Sequence, residues 1–318
     1  MHRLSDRWIW DFWLVGVEGN HHVFYLQAPR SLAVPDLRHH SATIGHAVSS
    51  DLRTWTTLPD AIGTGSPGAF DDLATWTGSV LRTGDVWTMF YTGASARENG
   101  RVQRVLAARS SDLIVWERVQ GFVLEADPRW YEKLPQNGEE EAWRDPWAFR
   151  DEQSGRYHLF VTARSNRGPR DGRGVIGHTW SDDLLHWTIG PPVSRPGDFF
   201  HMEVPQVARI GERFRLFFCV PDWAHSAVRL ARGPLTRQFG THYLVADHLL
   251  GPYGTERDDF LLADEVGRYY AGRVVEARDG WVMLAWLQYG PDGDFAGEIS
   301  DPMPLRVDAD GQLRVEPA

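Results

Sequence analysis

The chain has 318 residues, enough for a large core, and carries a formal charge of -10 with a pI near 5.7. That acidity argues against a phosphate backbone as partner, because nucleic-acid binding relies on clustered Lys and Arg, and no run of about 18 apolar residues is present to span a bilayer. The single cysteine, Cys219, excludes an internal disulfide and a cysteine-rich metal site.

Met1-His2-Arg3-Leu4-Ser5-Asp6 runs into strand-like sequence without a signal-peptide core, so a cytoplasmic location is the expectation. An acid flanked by aromatics follows in Trp10-Asp11-Phe12, then an alternating strand, His22-Val23-Phe24-Tyr25-Leu26-Gln27. Ile44-Gly45-His46-Ala47-Val48-Ser49-Ser50-Asp51-Leu52 through Trp55 pairs a small, apolar strand with a Ser-Asp turn and a returning Trp. The same phrase recurs over Val105 to Trp116 and over Gly174 to Trp187, with a weaker copy over Ala227 to Leu235 that lacks the turn aspartate and the tryptophan. Asp51, Asp112 and Asp183 therefore read as turn residues, and Trp55, Trp116 and Trp187 as core.

Between the copies lie further aromatic strands, over Val86 to Tyr91, Tyr157 to Thr162, Phe214 to Cys219 and Trp281 to Trp286. With His22 to Gln27 they make five, each after a turn containing Gly or Asn. Gly-, Pro-, Asp- and Arg-rich loops at 63–72, 125–142 and 164–174 punctuate them, and amphipathic helical runs are absent. The expected fold is all-β, a five-bladed β-propeller forming one domain over 1–318. Glu139-Glu140-Glu141 reads as solvated loop, its nearness to Asp145 leaving electrostatic tuning of a site as the alternative.

Two more acids stand in comparable contexts, Trp143-Arg144-Asp145-Pro146 and His201-Met202-Glu203-Val204-Pro205. In a propeller the innermost strand of each blade faces one funnel, so Asp11, Asp145 and Glu203 can meet there. Cleaving an acetal needs one carboxylate to attack or activate water and a protonated carboxyl to release the leaving oxygen. The proton donor needs a raised pKa, which a neighbouring carboxylate and partial desolvation would supply. The apolar neighbours Trp10, Phe12 and Trp13 make an unpaired carboxylate at Asp11 costly unless a site requires it. His21-His22 and His39-His40 lack zinc-site spacing, so no metal and no cofactor is expected.

These segments, in order, resemble glycoside hydrolase family 32, the fructofuranosidases. Trp10-Asp11-Phe12 and the strand after it resemble the family's Asn-Asp-Pro-Asn-Gly opening and His-Leu-Phe-Tyr-Gln strand; Thr77-Gly78-Ser79-Val80 resembles Ser-Gly-Ser-Ala; Arg144-Asp145-Pro146 matches Arg-Asp-Pro; and Glu203-Val204-Pro205 resembles Glu-Cys-Pro. Tyr269-Tyr270-Ala271 resembles the last blade's Phe-Tyr-Ala. The resemblance implies Asp11 as nucleophile, Glu203 as acid/base, and Asp145 as the residue that holds sugar hydroxyls and stabilises the oxocarbenium-like transition state. Arg144 would fix the carboxylates by charge-assisted bonds, and Gln27, Trp76, Ser79 and Tyr270 would make further substrate contacts. The sequence departs from the pattern where Trp10 and Phe12 replace Asn and Pro, and where Val204 replaces Cys. The C-terminal β-sandwich that usually follows this propeller is not expected within the chain.

The implied activity is that of a retaining glycoside hydrolase on a small oligosaccharide or disaccharide, a β-fructofuranoside such as sucrose or a short fructan, with fructosyl transfer as a close variant. An inverting arabinofuranosidase or xylosidase of the family 43 type is the enzyme alternative, and a propeller that binds carbohydrate or protein without turnover is the non-catalytic one.

Overall fold

The computed structural model describes residues 1–134, 138–233, 237–264 and 266–316. Among them, five antiparallel sheets are arranged as the blades of a propeller. Blade I is β1 (Arg7–Val17), β2 (Asn20–Pro29), β3 (Thr43–Ser49) and β4 (Thr56–Ile62). Blade II is β5 (Ala74–Thr83), β6 (Val86–Ala94), β7 (Gln103–Ser110) and β8 (Glu117–Arg118). Blade III is β9 (Trp143–Arg150), β10 (Tyr157–Arg164), β11 (Gly174–Ser181) and β12 (Thr188–Gly190). Blade IV is β13 (Glu203–Ile210), β14 (Arg213–Val220), β15 (Phe239–Ala246) and β16 (Leu262–Asp264). Blade V is β17 (Tyr269–Ala277), β18 (Gly280–Tyr289), β19 (Phe295–Ile299), β20 (Met303–Val307) and β21 (Leu313–Val315).

The first strands of successive blades pack against one another around the axis, β17 meeting β1 to close the ring. The N-terminal segment reinforces that closure: His2 and Ile299 of β19 exchange backbone hydrogen bonds at 2.9 and 3.0 Å. Apolar clusters fill the wedges between neighbouring blades.

The repeated Ser-Asp phrase is a turn device. Leu52, Leu113 and Leu184 adopt positive φ of 61, 66 and 63°, a conformation unfavourable for a bulky residue. Ser49 Oγ accepts from Leu52 N at 2.8 Å, and Asp51 Oδ1 accepts from Arg53 N and Thr54 N at 2.8 and 2.7 Å. The copies at Ser110-Asp112 and Ser181-Asp183 repeat those bonds. The returning tryptophans are half-buried against the core. The weaker fourth copy is not such a unit: Ala227–Leu230 forms a single helical turn capped by Ser226, and β15 supplies the third strand of blade IV. Without the turn aspartate nothing holds the tight reversal. Pro234 and Leu235, which end that copy, lie outside the described residues.

Every first strand carries a register shift at the same depth: between Trp10 and Phe12, between Trp76 and Gly78, opposite Phe160/Thr162 in β9, between Glu203 and Gln206, and between Tyr270 and Arg273. Four of these bulges place a non-glycine residue at positive φ, Asp11, Asp145, Val204 and Ala271. A bulge inserts one residue and re-aims its side chain. Here the bulges bring the polar side chains of Asp11, Thr77 and Asp145 to one level of the axis.

Candidate active site

At that level a funnel of about 370 Å³ opens, lined by Asp11, Asp145 and Glu203 together with Arg144, Trp76 and Tyr270. The volume falls within the range of small-ligand pockets. Asp145 is buried and tied to three blades: its backbone N donates to Thr92 Oγ1 at 2.9 Å, and its Oδ2 accepts from Thr162 Oγ1 at 2.8 Å and from Val204 N at 3.2 Å. The amide of Val204, where the resemblance has Cys, thus orients the middle carboxylate. Asp11 has far less support. Thr77 Oγ1 donates to its Oδ2 at 3.3 Å, and Oδ1 is buried without a hydrogen-bond partner. An orphaned carboxylate oxygen is costly in a structural role and suits one that must bond to a ligand.

Glu203 is held from both sides. Arg144 Nη2 donates to Oε1 at 2.6 Å and the Tyr270 hydroxyl donates to Oε2. Arg144 Nη1 is fixed in turn by Gln103 Oε1 at 2.8 Å and Glu140 Oε1 at 3.1 Å. Glu140 also accepts from Gln103 Nε2 at 2.8 Å and lies 3.0 Å from His201 Nε2. Glu140 is therefore part of the funnel wall and Glu141 is buried against Lys133, so two of the three consecutive glutamates are not solvated loop. Buried Arg144 has more N–H donors than Glu203 can satisfy, and Glu140 accepts one of them, while Glu141 pairs with Lys133.

The electrostatics depart from the sequence expectation. Burial, then the charges of Asp145 and Glu203, raises Asp11 to about 7. Burial also raises Asp145, against the pull of Arg144. Burial works in the same direction on Glu203, but Arg144, His201 and Tyr270 outweigh it and hold Glu203 below its ordinary value. Asp11 is raised where Glu203 is lowered, because the guanidinium sits on Glu203 and Asp11 has only a hydroxyl.

Two of the expected contact residues lie elsewhere. Leu26 faces the funnel, so by strand alternation Gln27 faces away, buried, with Nε2 3.4 Å from Thr43 Oγ1. Ser79, beyond the bulge in β5, is buried and accepts from Ala148 N at 2.8 Å, joining blades II and III. Residues that motif reasoning passed over include Thr77, Gln103, His201 and Arg38, whereas Glu140 fits the alternative reading of its run as charge beside the site. Arg38 lines the funnel with its guanidinium 5.6 Å from the ring of Trp10, 5.5 Å from Trp286 and 4.8 Å from Phe295. Trp10, where the resemblance has Asn, thus helps hold a cation near Asp11. Beneath the acids, buried Arg273 donates to the carbonyls of Phe12 at 2.9 Å, Val204 at 3.2 Å and Pro205 at 2.7 Å, linking blades I, IV and V. Among the described residues, no group of three His, Cys, Asp or Glu is placed to hold a metal ion.

Comparison with known proteins agrees with this architecture. The inulosucrase from Halalkalicoccus jeotgali bound to kestose superposes with a TM-score of 0.82 at 22% identity, covering 98% of this chain and 87% of that one. Bacillus subtilis levansucrase gives 0.74 at 16%, over 98% and 86%, and fructan 1-exohydrolase IIa from Cichorium intybus gives 0.71 at 20%, over 99% and 59%. At these identities the likeness is one of fold. In sequence, the sucrose-6-phosphate hydrolase of Zymomonas mobilis is 25% identical over 286 residues, 86% of this chain and 51% of that protein, so the chain spans about half the length of this relative. The family model of the Glycosyl hydrolases family 32 N-terminal domain matches residues 12–306, starting one residue after Asp11. Matched over nearly its whole length, the chain belongs to glycosyl hydrolase family 32.

Proposed function

We propose that this protein is a retaining glycoside hydrolase that cleaves a small β-fructofuranoside, sucrose or a short fructan. The observation that carries the reading is the convergence of Asp11, Asp145 and Glu203 in one funnel, with Asp11 Oδ1 left unpartnered. Ionised Asp11 attacks the anomeric carbon, the bond to the leaving sugar breaks, and its electron pair takes the proton of Glu203. Glu203 then removes a proton from water, whose oxygen displaces Asp11 and regenerates the enzyme. Asp145, fixed by Thr162 and Val204, accepts hydroxyls of the fructosyl ring and faces the positive charge that develops on it. Arg144 and Tyr270 hold Glu203 in place.

The test is turnover of sucrose, short fructans and nitrophenyl furanosides by the wild type, Asp11→Asn and Glu203→Gln, with anomeric configuration followed by NMR. Retention in the wild type, and loss of sucrose cleavage in both variants, is expected. Inversion would favour the family 43 type of mechanism, and sugar binding without turnover, indifferent to Glu203→Gln, would favour a binding module.

A further inference from the structure

Trp223 sits in the turn Asp222–Ala224 that follows β14, with 56% of its surface exposed. Among the described residues it is the only exposed Phe, Tyr or Trp. A single exposed apolar side chain is ordinary on a protein surface. Its place is what gives this one meaning, because it lines the funnel. It is also braced: its ring meets Phe200 at 5.4 Å and 60°, and His201 at 5.9 Å and 88°. His201 contacts Glu140, Glu140 contacts Arg144, and Arg144 contacts Glu203. Trp223 therefore belongs to the wall that carries Glu203, contributed by blade IV and the segment preceding β9. The opposite wall holds Asp11 with Trp76, Thr77 and Arg38.

Resting on the reading of Glu203 as proton donor, we propose that Trp223, with Glu140 beside His201, forms the subsite for the sugar that leaves and for the sugar that acts as acceptor. The group protonated by Glu203 must lie on Glu203's side of the funnel. A sugar ring offers one face of C–H bonds to an indole and hydroxyls at its rim to a carboxylate, and those are the groups this wall presents. In the reverse sense, an acceptor hydroxyl seated there gives its proton to Glu203 while its oxygen bonds to the anomeric carbon and the bond to Asp11 breaks. The same platform thus favours transfer over hydrolysis when sugar is abundant.

The experiment compares sucrose with fructosyl fluoride, whose leaving group has no ring to stack, in the wild type, Trp223→Ala and Trp223→Phe. The ratio of kcat/KM for sucrose to that for the fluoride should fall roughly tenfold in Trp223→Ala, the scale of one aromatic contact, and largely recover in Trp223→Phe. The ratio of transfer to hydrolysis at high sucrose should fall with it. An unchanged ratio, whether both donors keep their rates or both lose them together, would overturn the subsite. A wild type that turns over neither donor would overturn the hydrolase reading and the subsite with it. Melting temperatures check that the variants fold.

Discussion

Arg144 donates to Glu203 at 2.6 Å, and that contact sets which carboxylate in the funnel carries charge. With the guanidinium and Tyr270 both on Glu203, its ionised form is stabilised, whereas burial beside the other carboxylates favours the protonated form of Asp11. The proposed mechanism requires the opposite arrangement, Asp11 ionised and Glu203 protonated. The productive state is then a minority arrangement of the singly protonated pair, and its fraction is constant between the two macroscopic pKa values of that pair.

The pH profile follows from this. Below the lowered pKa of Glu203 both carboxyls are protonated and attack is lost, whereas above about 7 Asp11 ionises and the shared proton is gone. A bell in kcat/KM is expected, with its alkaline limb near 7 and its acid limb below the ordinary glutamate range. Tyr270→Phe removes one donor from ionised Glu203, so the acid limb should move up while the alkaline limb stays near its place. Initial rates from pH 3 to 9 measure both.

Asp11 also links activity to stability. Its folded pKa is raised above the unfolded value, so its favourable contribution is complete below the ordinary aspartate range and is lost as pH rises through about 7. Asp11→Asn, which cannot ionise, should stabilise the protein at pH 8 by a few kcal/mol, on the scale of about 1.4 kcal/mol per pKa unit, and make little difference at pH 3.5. Urea denaturation at the two pH values measures this, and equal stabilities at pH 8 would contradict the burial of that carboxylate.

Much of the architecture was legible in the sequence, because aromatic strands and the Ser-Asp-Leu phrase repeat once per blade where the turn is intact. The acids were legible because Asp11 and Asp145 sit close to tryptophans and all three, with Glu203, fall in first strands. What was hidden depends on the third dimension. The bulges that turn Asp11, Asp145 and Val204 inward leave no local mark in the sequence. Glu140 looked like surface charge because its partners, Gln103 and His201, come from segments 37 residues before and 61 after it. The protonation order depended on which carboxylate Arg144 reaches, and proximity in sequence points to Asp145, whereas the shorter contact is to Glu203, 2.6 against 3.7 Å.

Arg273 joins structure and electrostatics. Arg273→Met would leave the carbonyls of Phe12, Val204 and Pro205 without their donor and should cost about 3 kcal/mol. Its positive charge also lowers the pKa of Asp11, so its removal should move the alkaline limb upward. Thermal unfolding and the pH profile of the same variant give both numbers.

The funnel also bears on the charge of the substrate. Asp11, Asp145, Glu203 and Glu140 line it against two guanidiniums among the described residues, Arg38 and Arg144, and Arg144 is already bonded to Gln103, Glu140 and Glu203. Arg38 stands beside Trp10 on the side of Asp11, so on Glu203's side a phosphate on the leaving sugar would meet this negative field with only the already bonded Arg144 among the described guanidiniums of the lining. Sucrose should therefore be cleaved at least tenfold more efficiently than sucrose 6-phosphate, as kcat/KM at low ionic strength, and added salt should narrow the gap.

The most direct test of the account is mass spectrometry of Glu203→Gln during reaction with fructosyl fluoride. The fluoride leaves without protonation, and the missing base slows release, so the account predicts a fructosyl adduct on the peptide that bears Asp11. Turnover without any adduct, or an adduct on another residue, would contradict Asp11 as the nucleophile.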